Sequence, residues 1–180
     1  MRGSTGWTWL GLAMVATVVH ALPAGPASAQ GKPMHPTAVI AMERGGEIRI
    51  ELFPEDAPKT VQSFVTLSRK HFYDGLTFHR VVPGFVAQGG DPKGDGTGGP
   101  GYTLKAEFNA RRHVRGTVAM ARSQHPDSAG SQFYICFAPA PHLDGQYTVF
   151  GQVVKGMEVV DQIRVGDRMT TVRIEEPAKP

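Results

Sequence analysis

The 180-residue chain holds a single cysteine, Cys136. One thiol closes no internal disulfide, so the core alone must stabilise the fold, even in an oxidising compartment. Cys136 lies in the strand-like run Gln132-Phe133-Tyr134-Ile135-Cys136-Phe137 and reads as a buried, inert thiol. Beyond the first thirty residues no run stays apolar for long enough to span a bilayer. Lys and Arg are scattered, which excludes the basic stripe of a nucleic-acid protein. Only Arg111, Arg112 and Arg115 cluster, and they read as a solvated loop. No pair among the seven histidines has metal-ligand spacing. Internal repeats and linkers are also lacking, so the chain beyond its leader reads as one domain.

Glycine and proline, in contrast, are plentiful: 22 and 14 residues favour many short strands joined by turns over a helical bundle. The N-terminus has its own grammar. Arg2 supplies a positive charge, Trp7 to Leu22 is apolar, Pro23-Ala24-Gly25-Pro26 breaks the run, and Ala27-Ser28-Ala29 offers small residues for cleavage. Residues 1–29 therefore read as a secretory signal peptide cut after Ala29, and the short, interrupted run argues against a membrane anchor. Its removal takes away one basic and no acidic residue, leaving 18 basic against 16 acidic. The expected product is periplasmic or secreted, monomeric, and without stable membrane association. Residues 30–36 are expected to form a flexible mature N-terminus, 37–176 the folded domain and 177–180 a loose tail.

Val39 to Met42 and the alternating Glu47 to Leu52 flank Arg44-Gly45-Gly46 and predict a hairpin. Pro58 suits the first turn of a helix, with Asp56 as its N-terminal acid, and Val61, Phe64, Val65 and Ser68 carry the period to an end near Lys70. Short apolar runs come next at 78–82, 85–87, 117–120, 133–137 and 147–154, separated by Gly/Pro-rich loops. That spacing suits a closed antiparallel barrel or a sandwich. A second helix is expected over Met157 to Ile163, and a last strand over Val172 to Glu175.

The segment Phe78-His79-Arg80-Val81-Val82-Pro83-Gly84-Phe85-Val86-Ala87-Gln88-Gly89-Gly90-Asp91 is the most informative. Alternation puts Arg80 on one face between Phe78 and Val82, two expected core residues. An arginine so directed needs a partner or a purpose, unless it snorkels to a rim. His79 points the other way and should make a structural hydrogen bond. This fourteen-residue segment resembles the signature of the cyclophilins. Gly116 to Ala121, Ser128 to Cys136, Leu143-Asp144-Gly145 and Val149 to Val153 resemble further blocks of that family, and the likeness extends over about residues 37–175.

The resemblance implies an all-β fold, a closed eight-stranded antiparallel barrel capped by two helices. It implies cofactor-free cis-trans isomerisation of X-Pro bonds in proline-containing, folding polypeptides. Arg80 matches the catalytic arginine, and Gln88 with the backbone near Arg122 would hold the peptide. Phe85, Val86, Tyr134 and Leu143 would line the proline pocket, with Gly96, Ala121, Ser123 and Gln132 on neighbouring contact positions. Three positions depart from the familiar eukaryotic pattern: His142 replaces a tryptophan, Tyr147 a histidine and Tyr134 a phenylalanine. The Tyr134 hydroxyl is expected at the rim. Without the tryptophan's indole donor, cyclosporin should bind weakly while His142 and Tyr147 still flank the substrate.

The chemistry accounts for these residue types. Rotating an X-Pro bond costs about 18–20 kcal/mol uncatalysed. In the twisted state the proline nitrogen turns pyramidal and gains a lone pair, which a guanidinium can stabilise selectively. A proline-peptide binding module is the competing reading, but it would have no use for that cation. Two further patterns carry less. Gly94 to Gly99 matches a dinucleotide fingerprint without the strand and helix it needs, and Ser131, His142 and Asp144 lack a nucleophile elbow.

Overall fold

The computed structural model describes residues 35–177. The expected signal peptide, residues 30–34 and the last three residues lie outside the described residues.

The first hairpin pairs β1 (Thr37–Met42) with β2 (Glu47–Leu52). Its turn needs Gly45 and Gly46, whose φ values of 91° and 90° lie in the left-handed region that glycine adopts without strain. Along β2 the alternation buries Ile48, Ile50 and Leu52. Helix α1 (Pro58–Arg69) then buries Val61, Phe64 and Leu67, and the Ser68 hydroxyl donates to the Phe64 carbonyl at 2.8 Å.

The N-terminus of α1 departs from expectation. Asp56 does not serve it; that carboxylate accepts from Arg111 Nε at 2.6 Å. Glu107, far along the chain, takes the role instead. Its two oxygens accept the backbone N–H groups of Lys59 and Thr60 at 3.0 and 2.9 Å, where the helix dipole favours negative charge.

The remaining strands are β3 (Arg80–Val82), β4 (Val86–Gly89), β5 (Thr117–Met120), β6 (Phe133–Cys136), β7 (Val149–Lys155) and β8 (Met169–Glu175). All paired neighbours run antiparallel in the order β3-β4-β6-β5-β7-β2-β1-β8. The expectation of a closed barrel is corrected here: β3 and β8 form no ladder, and the sheet is an open half-barrel. The irregular segment 75–78 fills the gap. It contributes one isolated bridge, Thr77 to Arg168, and single bonds such as Phe78 N to Asp167 O at 2.9 Å. Three-residue β3 is too short to extend pairing across that gap.

Helix α2 (Met157–Val160) is one turn and stops short of Ile163. The bonds after it, Gln162 N to Val159 O and Ile163 N to Val160 O, close three-residue turns and end the α pattern. Ile163 is nevertheless buried. The basic cluster lies on a largely exposed loop, as expected, but two of its members are engaged. Arg111 lies over the Phe53 ring at 3.3 Å, and Arg115 forks onto Asp161 at 2.9 and 2.7 Å.

The core centres on aromatic rings. Phe133 on β6 meets Phe64, Tyr73 and Phe78 at centroid distances of 5.6, 5.9 and 6.3 Å, all near perpendicular. The same strand turns Tyr134 and Cys136 to the opposite side, into a smaller apolar cluster with Val86, Ala119 and Val149. That second cluster backs the site.

Candidate active site

Register assembles the centre. Arg80 on β3 faces Gln88 on β4, and Gln88 faces Tyr134 on β6. Phe78 is buried as expected, but Val82 is only half-buried and Arg80 is exposed, standing at the rim. Its Nη1 donates to Gln88 Oε1 at 3.4 Å. Gln88 Nε2 donates to Gln132 Oε1 at 3.0 Å, and Gln132 Nε2 donates to the carbonyls of Gly96 and Gly98 at 3.0 and 2.9 Å. Because carbonyls only accept, the direction of the whole chain is set at its glycine end. It delivers the amide oxygen of Gln88 to the guanidinium.

Beside Arg80 and Gln88 a cavity of about 170 Å³ is walled by Phe85, Val86, Tyr134 and Leu143, with Ala121, Arg122 and Tyr147 completing it. A second cavity of about 640 Å³ adjoins it. Gly96, Ser123 and Gln132 line only this larger one, while Gln88, Ala121 and Arg122 line both. His142 lines neither; its ring stacks on Phe85 at 5.5 Å and 26°. All the other expected site residues are thus brought together in one groove.

Arg122 spans two loops. Its Nε and Nη2 donate to the Gln146 carbonyl at 3.1 and 3.0 Å, and Nη1 donates to the carbonyls of Ser123 and Gln124. The guanidinium also lies 4.6 Å over the Tyr147 ring. Its side chain is therefore committed to structure, while its backbone N–H and C=O make no bond to the described residues. Ser123 is likewise engaged, its hydroxyl 2.8 Å from that of Ser128.

The glycine run 94–99 is a loop folded over Asp91. Desolvation opposes charge on this buried carboxylate, but the backbone N–H groups of Lys93, Gly96 and Gly98 hold its pKa below the usual aspartate value. A Cβ on Gly98 would come 2.0 Å from Asp91 Oδ1, so only glycine fits. This carboxylate fixes the loop whose carbonyls orient Gln132.

Three smaller expectations are overturned or settled. Both ring nitrogens of His79 are buried without a partner among the described residues, against the structural hydrogen bond expected. Ser131 donates to the Gly90 carbonyl at 2.7 Å, and Asp144 bonds His113 rather than His142, so no hydrolytic triad forms. Burial first, and the nearby Asp144 charge second, push the Cys136 thiol up to about 12, which keeps it inert at neutral pH.

His113 is the residue that sequence reasoning missed. Fully buried, it lies 2.9 Å from the Tyr134 hydroxyl and 2.9 Å from Asp144 Oδ1. The Tyr134 hydroxyl therefore points inward, not to the rim. The available signal was the tyrosine itself, since a phenol in an apolar wall needs a hydrogen-bond partner.

The family model described as "Cyclophilin type peptidyl-prolyl cis-trans isomerase/CLD" matches residues 37–179. A peptidyl-prolyl cis-trans isomerase of Synechococcus elongatus is 51% identical over 139 residues, covering 76% of this chain and 94% of that protein. Peptidyl-prolyl cis-trans isomerase B of Bacillus subtilis is 51% identical over 141 residues, covering 77% and 98%. A crystal structure of a Cryptosporidium parvum cyclophilin-type isomerase, in the presence of the dipeptide Ala-Pro, superposes with a TM-score of 0.72. It has 29% identity and covers 78% of this chain and 99% of that one. With the whole groove inside the matched region, the chain belongs to the cyclophilin-type peptidyl-prolyl cis-trans isomerases and is an isomerase of that family.

Proposed function

We propose that the chain speeds X-Pro rotation in proteins folding outside the cytoplasm, with Arg80 stabilising the pyramidal proline nitrogen. The observation that carries this is the hydrogen-bond chain linking Arg80 through Gln88 and Gln132 to the glycine carbonyls, at the edge of a proline-sized cavity with an apolar wall. Phe85, Val86, Tyr134 and Leu143 seat the ring. Gln88 and the free backbone groups of Arg122 hold the flanking peptide, so rotation is confined to one bond. Gly96, Ser123 and Gln132 border the larger cavity, which takes the neighbouring residues of the client. The Ala-Pro dipeptide accompanying the Cryptosporidium parvum relative supports proline peptides as ligands. Slow proline isomerisation takes tens to hundreds of seconds and limits folding, so an exported catalyst working without ATP has a clear use.

Export rests on the sequence pattern of residues 1–29. Expressed from its full gene in a bacterial host, the chain is expected outside the cytoplasm, as a monomer, with Gln30 at its N-terminus by mass spectrometry. Its extract should accelerate isomerisation of a short X-Pro peptide. An uncleaved product retained in the cytoplasm would refute the exported role and leave the enzyme reading intact.

Cyclosporin binding should be weak. His142 already stacks on Phe85 and offers a smaller surface than an indole. Calorimetry should give a dissociation constant well above the low nanomolar range, and a low nanomolar value would refute the inference.

A further inference from the structure

The buried imidazole of His113 has a defined protonation pattern, written by its neighbours. Asp144 Oδ1 accepts the His113 backbone N–H at 2.7 Å and lies 2.9 Å from ring Nδ1. Those two bonds hold the Asp144 carboxyl below the ordinary aspartate range, against the opposing effect of desolvation. An ionised carboxylate can only accept, so Nδ1 must carry the proton. In the neutral imidazole Nε2 then presents a lone pair 2.9 Å from Tyr134 Oη. Desolvation keeps that phenol protonated, so Tyr134 is the donor.

We propose that His113 is a positioning residue for isomerisation: by accepting the Tyr134 hydroxyl behind the ring, it keeps that hydroxyl out of the wall on which the proline ring sits. The inference rests on reading the 170 Å³ cavity as the proline seat. The backbone of His113 extends the same function. Its carbonyl accepts Ala140 N–H at 2.9 Å, at the start of the 3-10 turn Pro141–Leu143 that carries Leu143 to the opposite wall. One residue thus fixes the orientation of Tyr134 and the approach of Leu143. It also explains how a tyrosine can occupy a wall that suits phenylalanine.

The test is a kinetic cycle on the full chain with a short X-Pro peptide, comparing wild type, His113→Leu, Tyr134→Phe and the double variant. With Tyr134 present, losing the acceptor leaves a hydroxyl that only the seat or an intruding water can satisfy. KM is then expected to rise about tenfold. In the Tyr134→Phe background the same His113→Leu change should move KM by less than about twofold, because the group it served is gone. Equal effects in both backgrounds would make His113 a packing residue and overturn the proposal. Should His113→Leu fail to fold, two-bond 1H–15N correlation on the wild-type chain decides instead. A proton on Nδ1 with a bare Nε2 supports the proposal, and a proton on Nε2 refutes it. A wild-type chain with the expected tautomer that binds no X-Pro peptide would refute the seat reading, and the proposal with it.

Discussion

Replacing Arg80 by alanine is expected to lower kcat/KM for X-Pro rotation by about 100- to 1,000-fold while peptide affinity changes little. The ground-state amide nitrogen is conjugated and has no lone pair to offer; the twisted nitrogen has one. A donor aimed there binds only the twisted state, so its loss is felt in turnover. Arg80 is suited to this because Gln88 holds it from one side at 3.4 Å while its other side-chain N–H groups have no partner among the described residues. Lysine should recover only part of the rate, since a single point charge cannot contact Gln88 and substrate with a rigid fork. A protease-coupled assay gives turnover, and calorimetry with a proline peptide gives binding. Undiminished turnover in Arg80→Ala would remove the guanidinium from the mechanism.

The second large effect lies in the core. Phe133→Ala should destabilise the protein by about 3–5 kcal/mol and lower Tm by roughly 10 °C. Three perpendicular ring contacts, with Phe64, Tyr73 and Phe78, end on this one side chain, and Phe64 of helix α1 meets the sheet here as well as at Phe150. Its neighbours in sequence, Gln132 and Tyr134, belong to the groove. Activity at low temperature should therefore survive, while its loss on heating follows the shifted unfolding curve. Denaturant unfolding followed by circular dichroism measures the change. A loss below about 1 kcal/mol would mean that the rings close over the gap, and that β6 does not depend on them.

Much of this was legible in the sequence because it is local. The hairpin of β1 and β2 follows from strict alternation across two glycines, and α1 from Pro58 and its apolar period. The groove was legible through a resemblance, since Arg80, Phe85 and Gln88 lie within one motif. What escaped is non-local. Glu107 serves a helix that begins at Pro58, and His113 serves Tyr134 and Asp144; neither pairing leaves a mark in spacing. The open sheet escaped for a similar reason. Strand count says nothing about whether β3 and β8 meet, which depends on how the chain from Gly75 to Phe78 runs between them. His79 shows the limit of alternation, which gives a direction and no partner.

The gap between β3 and β8 bears on the proposed work among folding chains. An unprotected strand edge would recruit client segments by backbone pairing and start aggregates. Here β3 presents only three residues. Along β8, Met169 is engaged from both sides by Gly75 N–H and the Leu76 carbonyl, and Val172 N–H is capped by the Asp74 carboxylate at 2.9 Å. Both borders of the sheet are thus poor templates, and a client's extended strand finds no ladder to join. Under the proposed function, encounters would be confined to the groove, where a bound chain could leave again once its proline has turned.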